Sequence, residues 1–417
     1  MSAEGSSLTY LEDYGDHHTV LLENLKRNTK YVYTVGDGAS SVSEQLSFTT
    51  LPEDDDKGDI RLAIFGDMGY MDSDARPMGV LGNKTMAGNW SATYSREILE
   101  SWKDNGEIDM VFHVGDVGYA DDAVFHTLKT LFQFEYEPAY NGYMNWIQNL
   151  TAAMPYHVTP GNHESECHDP ACVLQPRKLG IPLSNFTAYN ARWSMPSPES
   201  DGVASMWYSW EYGAVHFVSI NTETDFDGAA ENEKGDSGIF NAGKFAPDGT
   251  YLTWLENDLL KASQDPNVKW ILAGGHRPFD ADSSTFADVE ALFTKYGVAM
   301  YFAGHSHSYS RYLPAAHEDV TTHITVGGAG CDEMLFAEDN PAPGHHTGTT
   351  CEAWSELRFP PLGLRKNRLS ACSGAEFFTD AYAVGKLTIA DGGRGDITWE
   401  LFSSIDRTVL DSVVIKA

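Results

Sequence analysis

Positive charge is scarce in this chain. Lys and Arg number 28 against 60 Asp and Glu, a formal net charge of −32. A surface of that sign repels phosphate backbones and anionic lipid, which excludes nucleic-acid or membrane-surface binding as the main role. Long apolar runs are also missing: none approaches the roughly 18–20 residues that a bilayer-spanning helix needs. The opening residues, MSAEGSSLTY, have neither a basic start nor an apolar core, so they are not a signal peptide. Cysteine is sparse and odd in number, five in all, so at least one lies outside any intrachain bridge. No paired CxxC spacing occurs, which argues against a cysteine-rich zinc site. Internal repeats and low-complexity segments are absent.

Other features point to a secretory history. Four Asn-x-Ser/Thr sequons occur, at Asn83, Asn89, Asn149 and Asn185. Together with the acidic surface they predict a glycosylated, secreted or vacuolar protein whose natural N-terminus lies upstream of Met1. Cys167 and Cys172 bracket the short Pro-containing loop CHDPAC and are the expected disulfide; the pairing of Cys331, Cys351 and Cys372 stays open.

With 42% apolar and 21% charged residues over 417 positions, the chain has enough material for one large core and a minor module. Residues 17–49 hold three β-like runs, HTVLLE, KYVYTVG and EQLSFTT, separated by turn residues. They read as part of a β-sandwich over 1–50. The acidic stretch 51–59, LPEDDDKGD, reads as a linker. From residue 60 to 417 the pattern changes. The apolar runs RLAIFGD, MVFHVGD, YHVTPGN, VHFVSIN, VKWILAGGH and VAMYFAGH alternate with helical stretches at 91–105, 123–133, 251–262 and 285–296. Near-continuous apolar strands between helices predict a buried α/β sheet. The tail alternates again, as GKLTIA, ITWELF and TVLDSVVI, and reads as antiparallel strands closing the sheet. Arg394-Gly395-Asp396 falls in a turn and reads as a plain loop.

Five strand ends carry potential metal ligands. They are Asp67 in FGDMG, Asp116 and Tyr119 in GDVGY, Asn162 and His163 in GNHE, His276 in GGHRP, and His305 and His307 in GHSHSYSR. Open α/β sheets bind ligands beyond the carboxyl ends of their strands. The pieces are weak singly, since Gly-Asp occurs seven times in this chain; the ordered set carries the signal. Carboxylate and phenolate oxygens suit hard ions, and imidazoles suit iron, zinc and copper. Tyrosine ionises near pH 10, so binding as phenolate in acid calls for a trivalent ion. Even with His163 set aside, the seven remaining donors exceed one tetrahedral site, so two metals sharing Asp116 is the economical reading. One trivalent and one divalent ion, less the charges of Asp67, Asp116, Tyr119 and a bridging hydroxide, leave a net charge of about +1, attractive to phosphate.

In this order the motifs GDxG, GDxxY, GNH(E/D), a lone His and GHxH resemble those of the purple acid phosphatases, within the calcineurin-like metallophosphoesterase superfamily. The N-terminal runs are similar to the second half of that family's fibronectin-like domain. The resemblance implies an α/β fold of two mixed β-sheets flanked by helices, preceded by a partial fibronectin-III-like β-sandwich module. It implies that Asp67, Tyr119 and His307 hold Fe(III), that Asn162, His276 and His305 hold divalent Zn, Fe or Mn, and that Asp116 bridges. His163 would hydrogen-bond the substrate phosphate. The implied activity is acid hydrolysis of phosphate monoesters by a metal-bound hydroxide, on a small phosphoester substrate; a homo-oligomer is compatible with it. Two alternatives are a phosphodiesterase or nucleotide pyrophosphatase on the same scaffold, and a non-catalytic metal-binding relative. GDVGYADD departs from the GDxVDRG of protein Ser/Thr phosphatases. The loop HRPFDADSSTFADVE lacks the further histidines of plant members, which leaves the leaving-group acid unassigned. Among the remaining candidates, Asn221-Thr222-Glu223 ends an apolar strand and reads as a plain strand end, with cleft lining as the alternative. Arg311 reads as a partner of the GHxH loop or a surface ion pair, and His345-His346 as a solvated loop. His17 and His18 read as exposed strand residues, and His113 and His157 as core.

Overall fold

The computed structural model describes residues 2–38, 41–53, 56–70, 91–121, 123–126, 133–279, 285–314, 320–331 and 374–417. At the N-terminus, β1 (Ser6–Leu8) pairs antiparallel with β2 (His17–Thr19), and β3 (Lys30–Tyr33) with β4 (Leu46–Thr49). The three β-like runs of the sequence therefore fall into two separate ribbons. The partner of the HTV run lies upstream, in a polar SSL segment with no alternation to mark it. Buried Leu11, and Tyr10 hydrogen-bonded at 2.9 Å to Arg192, dock this segment on the main body.

The main body contains β5 (Ile60–Phe65), β6 (Met110–His113), β7 (Tyr156–Val158), β8 (Tyr208–Tyr212), β9 (Val215–Ser219), β10 (Trp270–Gly274) and β11 (Val298–Ala303). It continues through β12 (Tyr309–Tyr312), β13 (Thr322–Val326), β14 (Phe377–Thr379), β15 (Ala383–Ile389), β16 (Ile397–Ser403) and β17 (Val409–Ile415). Among the described residues these form two mixed sheets, ordered β17-β16-β15-β5-β6-β7 and β14-β12-β13-β11-β10-β9-β8. The six apolar runs divide three and three: β5, β6 and β7 are parallel neighbours in one sheet, and β9, β10 and β11 in the other. The alternating tail forms β15, β16 and β17, antiparallel on the edge of β5.

The sheets pack face to face through large aromatic residues, which supply most of the apolar area such a core buries. Phe112 of β6 meets the edge of Trp210 on β8 with ring centroids 5.1 Å apart, and Phe302 of β11 meets fully buried Trp399 of β16 at 5.0 Å. Arg311 spans the sheets too, but to Asp411 of β17, with Nε–Oδ2 at 2.7 Å and Nη2–Oδ1 at 2.9 Å. That is a buried bidentate pair 100 residues apart in sequence. It is neither a partner of the GHxH loop nor a surface pair.

Helices cover the outer faces. Ser91–Asp104 sets Trp102 against Phe402, and Ala287–Tyr296 sets Phe293 against Tyr301. The helix Thr250–Gln264 extends slightly past the expected stretch on both sides. Ala123–His126 is helical, and most of the remainder of the expected 123–133 helix lies outside the described residues. The helix Tyr136–Trp146 has no counterpart in the sequence reading, because Pro138 and Gly142 argue against it. Pro138 is tolerated because it sits in the first turn, where the backbone N–H has no helical partner. His113 is buried, and His157 stacks on Trp210 at 3.9 Å, so both are core residues.

Candidate metal centre

The carboxyl ends of β5, β6, β7, β10 and β11 converge from the two sheets. Asp67 follows β5 by two residues, Asp116 follows β6 by three, and Asn162 follows β7 by four. His276 follows β10 and His305 follows β11, each by two. The chain must turn sharply at each end while a side chain points inward. Asp67, Asp116, Tyr119 and His305 consequently take left-handed backbone, with φ of 60°, 50°, 49° and 61°. Such a conformation costs a non-glycine residue roughly 1–2 kcal/mol, and it clusters at functional sites. Neighbouring glycines are required by close approach. A Cβ on Gly161 would stand 2.2 Å from Asp116 Oδ1, and one on Gly304 2.3 Å from Asp67 Oδ2.

The side chains form two groups. In one, the Tyr119 hydroxyl lies 3.2 Å from Asp67 Oδ1 and 3.0 Å from His307 Nε2, and His307 Nε2 lies 3.2 Å from Asp67 Oδ1. In the other, Asn162 Oδ1 lies 3.1 Å from His276 Nε2 and 2.9 Å from His305 Nδ1. Asp116 Oδ2 joins them, 3.0 Å from His276 Nε2 and 3.5 Å from the Tyr119 hydroxyl. Asp67, Asp116 and His276 are fully buried or nearly so, and the site opens on the His305–His307 side.

These spacings fit bound ions. Ligands about 2.1 Å from a metal lie roughly 3.0 Å apart at octahedral corners and about 3.4 Å apart at tetrahedral ones. The observed distances, 2.9–3.5 Å, bracket those values closely, and the donors are the oxygen and imidazole types such ions take. Carboxylate and imidazole also stabilise each other's charged forms. Burial alone would push the Asp116 carboxyl up, but the imidazoles of His276 and His163 outweigh it and hold it well below the usual carboxylate range. Burial alone would lower His276, but Asp116 beside it raises it to about 9.

Around the donors stand further residues, and Glu164, Asp121, Arg277 and Cys331 among them had no site role in the sequence reading. Glu164 accepts hydrogen bonds from the backbone N–H groups of Asp116, Val117 and Gly161 at 3.0, 2.9 and 2.9 Å, tying two motif loops together. His163 Nδ1 lies 2.9 and 3.0 Å from the two carboxylate oxygens of buried Asp121, and its ring packs on Tyr119 at 4.2 Å. This turns Nε2 toward Asp116 Oδ2, 4.0 Å away. The Asn221–Glu223 segment does shape the site. The Thr222 hydroxyl accepts from the backbone N–H groups of His276 and Arg277 at 3.1 and 3.0 Å, and Glu223 Oε2 pairs with Arg277 Nε at 2.8 Å. Arg277 Nη1 in turn lies 3.0 Å from His305 Nε2. Cys331 Sγ lies 3.5 Å from His307 Nδ1. Proximity in sequence to a motif was the only available signal for Asp121 and Arg277.

The other predicted residues lie elsewhere. Cys167 and Cys172 are joined by a disulfide. Asn149 is exposed, and Asn185 is half-buried with its side-chain oxygen accepting from Gly243 N–H at 3.1 Å. Asn83, Asn89, Cys351, Cys372, His345 and His346 lie outside the described residues. His17 and His18 sit on β2, His18 exposed and His17 half-buried against Tyr10. Among the described residues no helix is long and apolar enough to cross a membrane.

Comparison with known proteins places this geometry. The family model described as calcineurin-like phosphoesterase matches residues 60–309, and that of the purple acid phosphatase N-terminal domain matches residues 1–50. Acid phosphatase type 7 of Mus musculus is 29% identical over 351 residues, which cover 76% of this chain and 65% of the mouse protein. An acid phosphatase of Aspergillus ficuum is 26% identical over 493 residues, covering 95% of this chain and 75% of the fungal one. The structure of a purple acid phosphatase from yellow lupin (Lupinus luteus) seeds shares the fold, with a TM-score of 0.59 at 19% identity over 99% of this chain and 66% of the lupin chain. The chain thus spans just under two thirds of the mouse and lupin proteins. By the match across its main body, the chain belongs to the calcineurin-like phosphoesterases, and its first 50 residues are similar to the N-terminal domain of purple acid phosphatases.

Proposed function

We propose that this protein is a binuclear-metal acid phosphatase that hydrolyses phosphate monoesters of small molecules. One observation carries the reading: a single carboxylate, Asp116, touches both an Asp–Tyr–His group and an Asn–His–His group. Asp67, Tyr119 and His307 would hold ferric iron, because the phenol and carboxylate oxygens favour a hard trivalent ion. Asn162, His276 and His305 would hold divalent zinc, iron or manganese, and Asp116 would bridge. When bound, the two ions would supply Lewis acidity toward phosphoryl oxygens and lower the pKa of the attacking water.

The chain's own residues then orient the substrate. Asp121 fixes the His163 ring so that Nε2 faces the donors, where it would hydrogen-bond the phosphoryl group. Arg277, held by Glu223 and edging His305, adds a cation at the rim of the site. The buried walls around Asp67, Asp116 and His276 exclude bulk water, which strengthens these interactions. The disulfide and the exposed sequon residue Asn149 support a secreted or vacuolar location.

The test is a side-by-side assay of iron- and zinc-loaded protein on p-nitrophenyl phosphate and bis-p-nitrophenyl phosphate in acid. The proposal expects the monoester to be turned over faster. Preference for the diester would favour a phosphodiesterase, and fully metallated protein inert on both would favour a non-catalytic relative.

A further inference from the structure

The disulfide-closed loop 167–172 carries a histidine that neither the motifs nor the metal donors use. His168 Nδ1 lies 2.8 Å from Asp121 Oδ2, and the His168 backbone N–H donates to the Asp121 carbonyl oxygen at 2.8 Å. Asp121 is fully buried, and its Oδ2 is shared by two imidazoles, His163 Nδ1 at 2.9 Å and His168 Nδ1 at 2.8 Å. We infer that His168 is a positioning residue for His163, holding Asp121 through Oδ2, the oxygen that His163 Nδ1 also meets, and so fixing the ring that meets the substrate phosphate. The inference rests on the phosphatase reading above for its link to turnover, though not for the contact itself.

The loop is built to hold that histidine still. Cys167 and Cys172 are both buried and bonded to each other. Next to His168, Asp169 Oδ2 accepts from the backbone N–H groups of Glu135 and Tyr136 at 2.7 and 3.2 Å, at the start of the helix Tyr136–Trp146. On its other ring edge, His168 Nε2 lies 3.4 Å from Glu166 Oε1. Glu166 is anchored in turn by the backbone N–H groups of Ser237 and Phe240 at 2.7 and 3.2 Å. Both ring nitrogens of His168 thus face carboxylates. Burial alone would lower its pKa, but Asp121 and Glu166 outweigh that and raise it to about 11, so the ring carries a proton on each nitrogen.

The physical need is plain. The terminal torsion of an aspartate is soft, so a carboxylate held by one imidazole can rotate and carry that imidazole with it. A second donor on the shared oxygen Oδ2 restrains this freedom. Small displacements matter, because misplacing a group by about 1 Å can cost on the order of 100-fold in rate.

The experiment uses three variants of the full chain: His168→Ala, His168→Asn and His168→Gln. The amide nitrogen of Asn falls where Nδ1 stands and can still donate to Asp121; that of Gln falls near Nε2 and cannot. Metal content should match the parent protein in all three. We expect His168→Ala to lower kcat by about tenfold with KM changed less than about twofold, Asn to recover most of the loss and Gln little. The second readout needs no substrate. In zinc-loaded protein, the downfield proton resonance of the His163 Nδ1–H···Asp121 bond should persist in the parent and in Asn, and broaden in Ala and Gln. Should Ala not fold, the Asn–Gln contrast decides. Parent-like kcat and resonance in Ala, or equal rescue by Gln and Asn, would overturn the inference. A parent protein inert on every phosphoester would sink the phosphatase reading, while the resonance comparison would still decide the role of His168.

Discussion

Replacing Glu164 with Gln probes what holds the two central motif loops together. Glu164 is 3% exposed, and its carboxylate takes three backbone donors. Oε2 serves Asp116 and Gly161, and Oε1 serves Val117. Gln can keep one carbonyl oxygen for the first two, but its NH2 then faces the Val117 N–H donor to donor. An unsatisfied buried donor costs about 1–3 kcal/mol. Glu164→Ala orphans all three donors, so its cost is roughly 3–9 kcal/mol, comparable to the whole stability of many domains. Asp116 sits in a left-handed conformation that these bonds help to hold, so loss of the anchor should also move the bridging carboxylate. The expected outcome is graded. Glu164→Gln folds, melts a few degrees lower and loses part of its metal, and Glu164→Ala folds poorly. Calorimetry and elemental analysis on the purified variants check this. A Gln variant with parental melting temperature and full metal content would show that the carboxylate is not what ties the loops.

Three further perturbations read other links. Tyr119→Phe removes the only phenol in the donor set described here, so any visible phenolate-to-iron absorption should vanish while divalent metal stays; colour that survives would assign it to another residue. Gly304→Ala places a Cβ against Asp67 Oδ2, so Asp67 must shift and iron occupancy should fall, as elemental analysis would show; unchanged occupancy would contradict the close approach. His216, far from the metal donors, pairs with Asp258 at 2.8 Å and Glu211 at 3.1 Å. Burial alone would lower its pKa, but these carboxylates raise it from 6.5 to about 9. Its stabilising contribution, on the order of 3 kcal/mol, is therefore full below about pH 6.5 and is lost as pH rises through about 9. Urea melts across that window should show the loss in the parent and not in His216→Phe; parallel curves would refute the assignment.

Much of the site was readable in the sequence because each piece obeys a local rule. A buried parallel strand is an apolar run, and a strand end that aims a donor inward needs a glycine beside it. Asp67, Asp116, Asn162, His276 and His305 all satisfy this, and the structure gathers them. The antiparallel tail was readable for a similar reason, since β15 and β16 alternate buried and half-buried residues along much of their length. What stayed hidden depends on partners far away in the chain. Six apolar runs look alike whether they form one sheet or two, because each is covered on both faces; their division appears only in the pairing. Arg311 finds Asp411, Arg277 finds Glu223, and Asp121 finds both His163 and His168, and no spacing announces these contacts. The helix Tyr136–Trp146 was hidden by residues that break helices elsewhere. Pro138 occupies the one turn that admits it, and Gly142 makes room for the ring of Tyr70.

The two-metal reading is tested most directly by counting metal. Elemental analysis of protein purified from a secretory host, beside its Asp116→Asn variant, asks whether one carboxylate serves two ions. The account predicts two ions per chain in the parent, one of them iron, and loss of both from the variant. A parent that binds a single ion under metal excess, or a variant that keeps both, would contradict it.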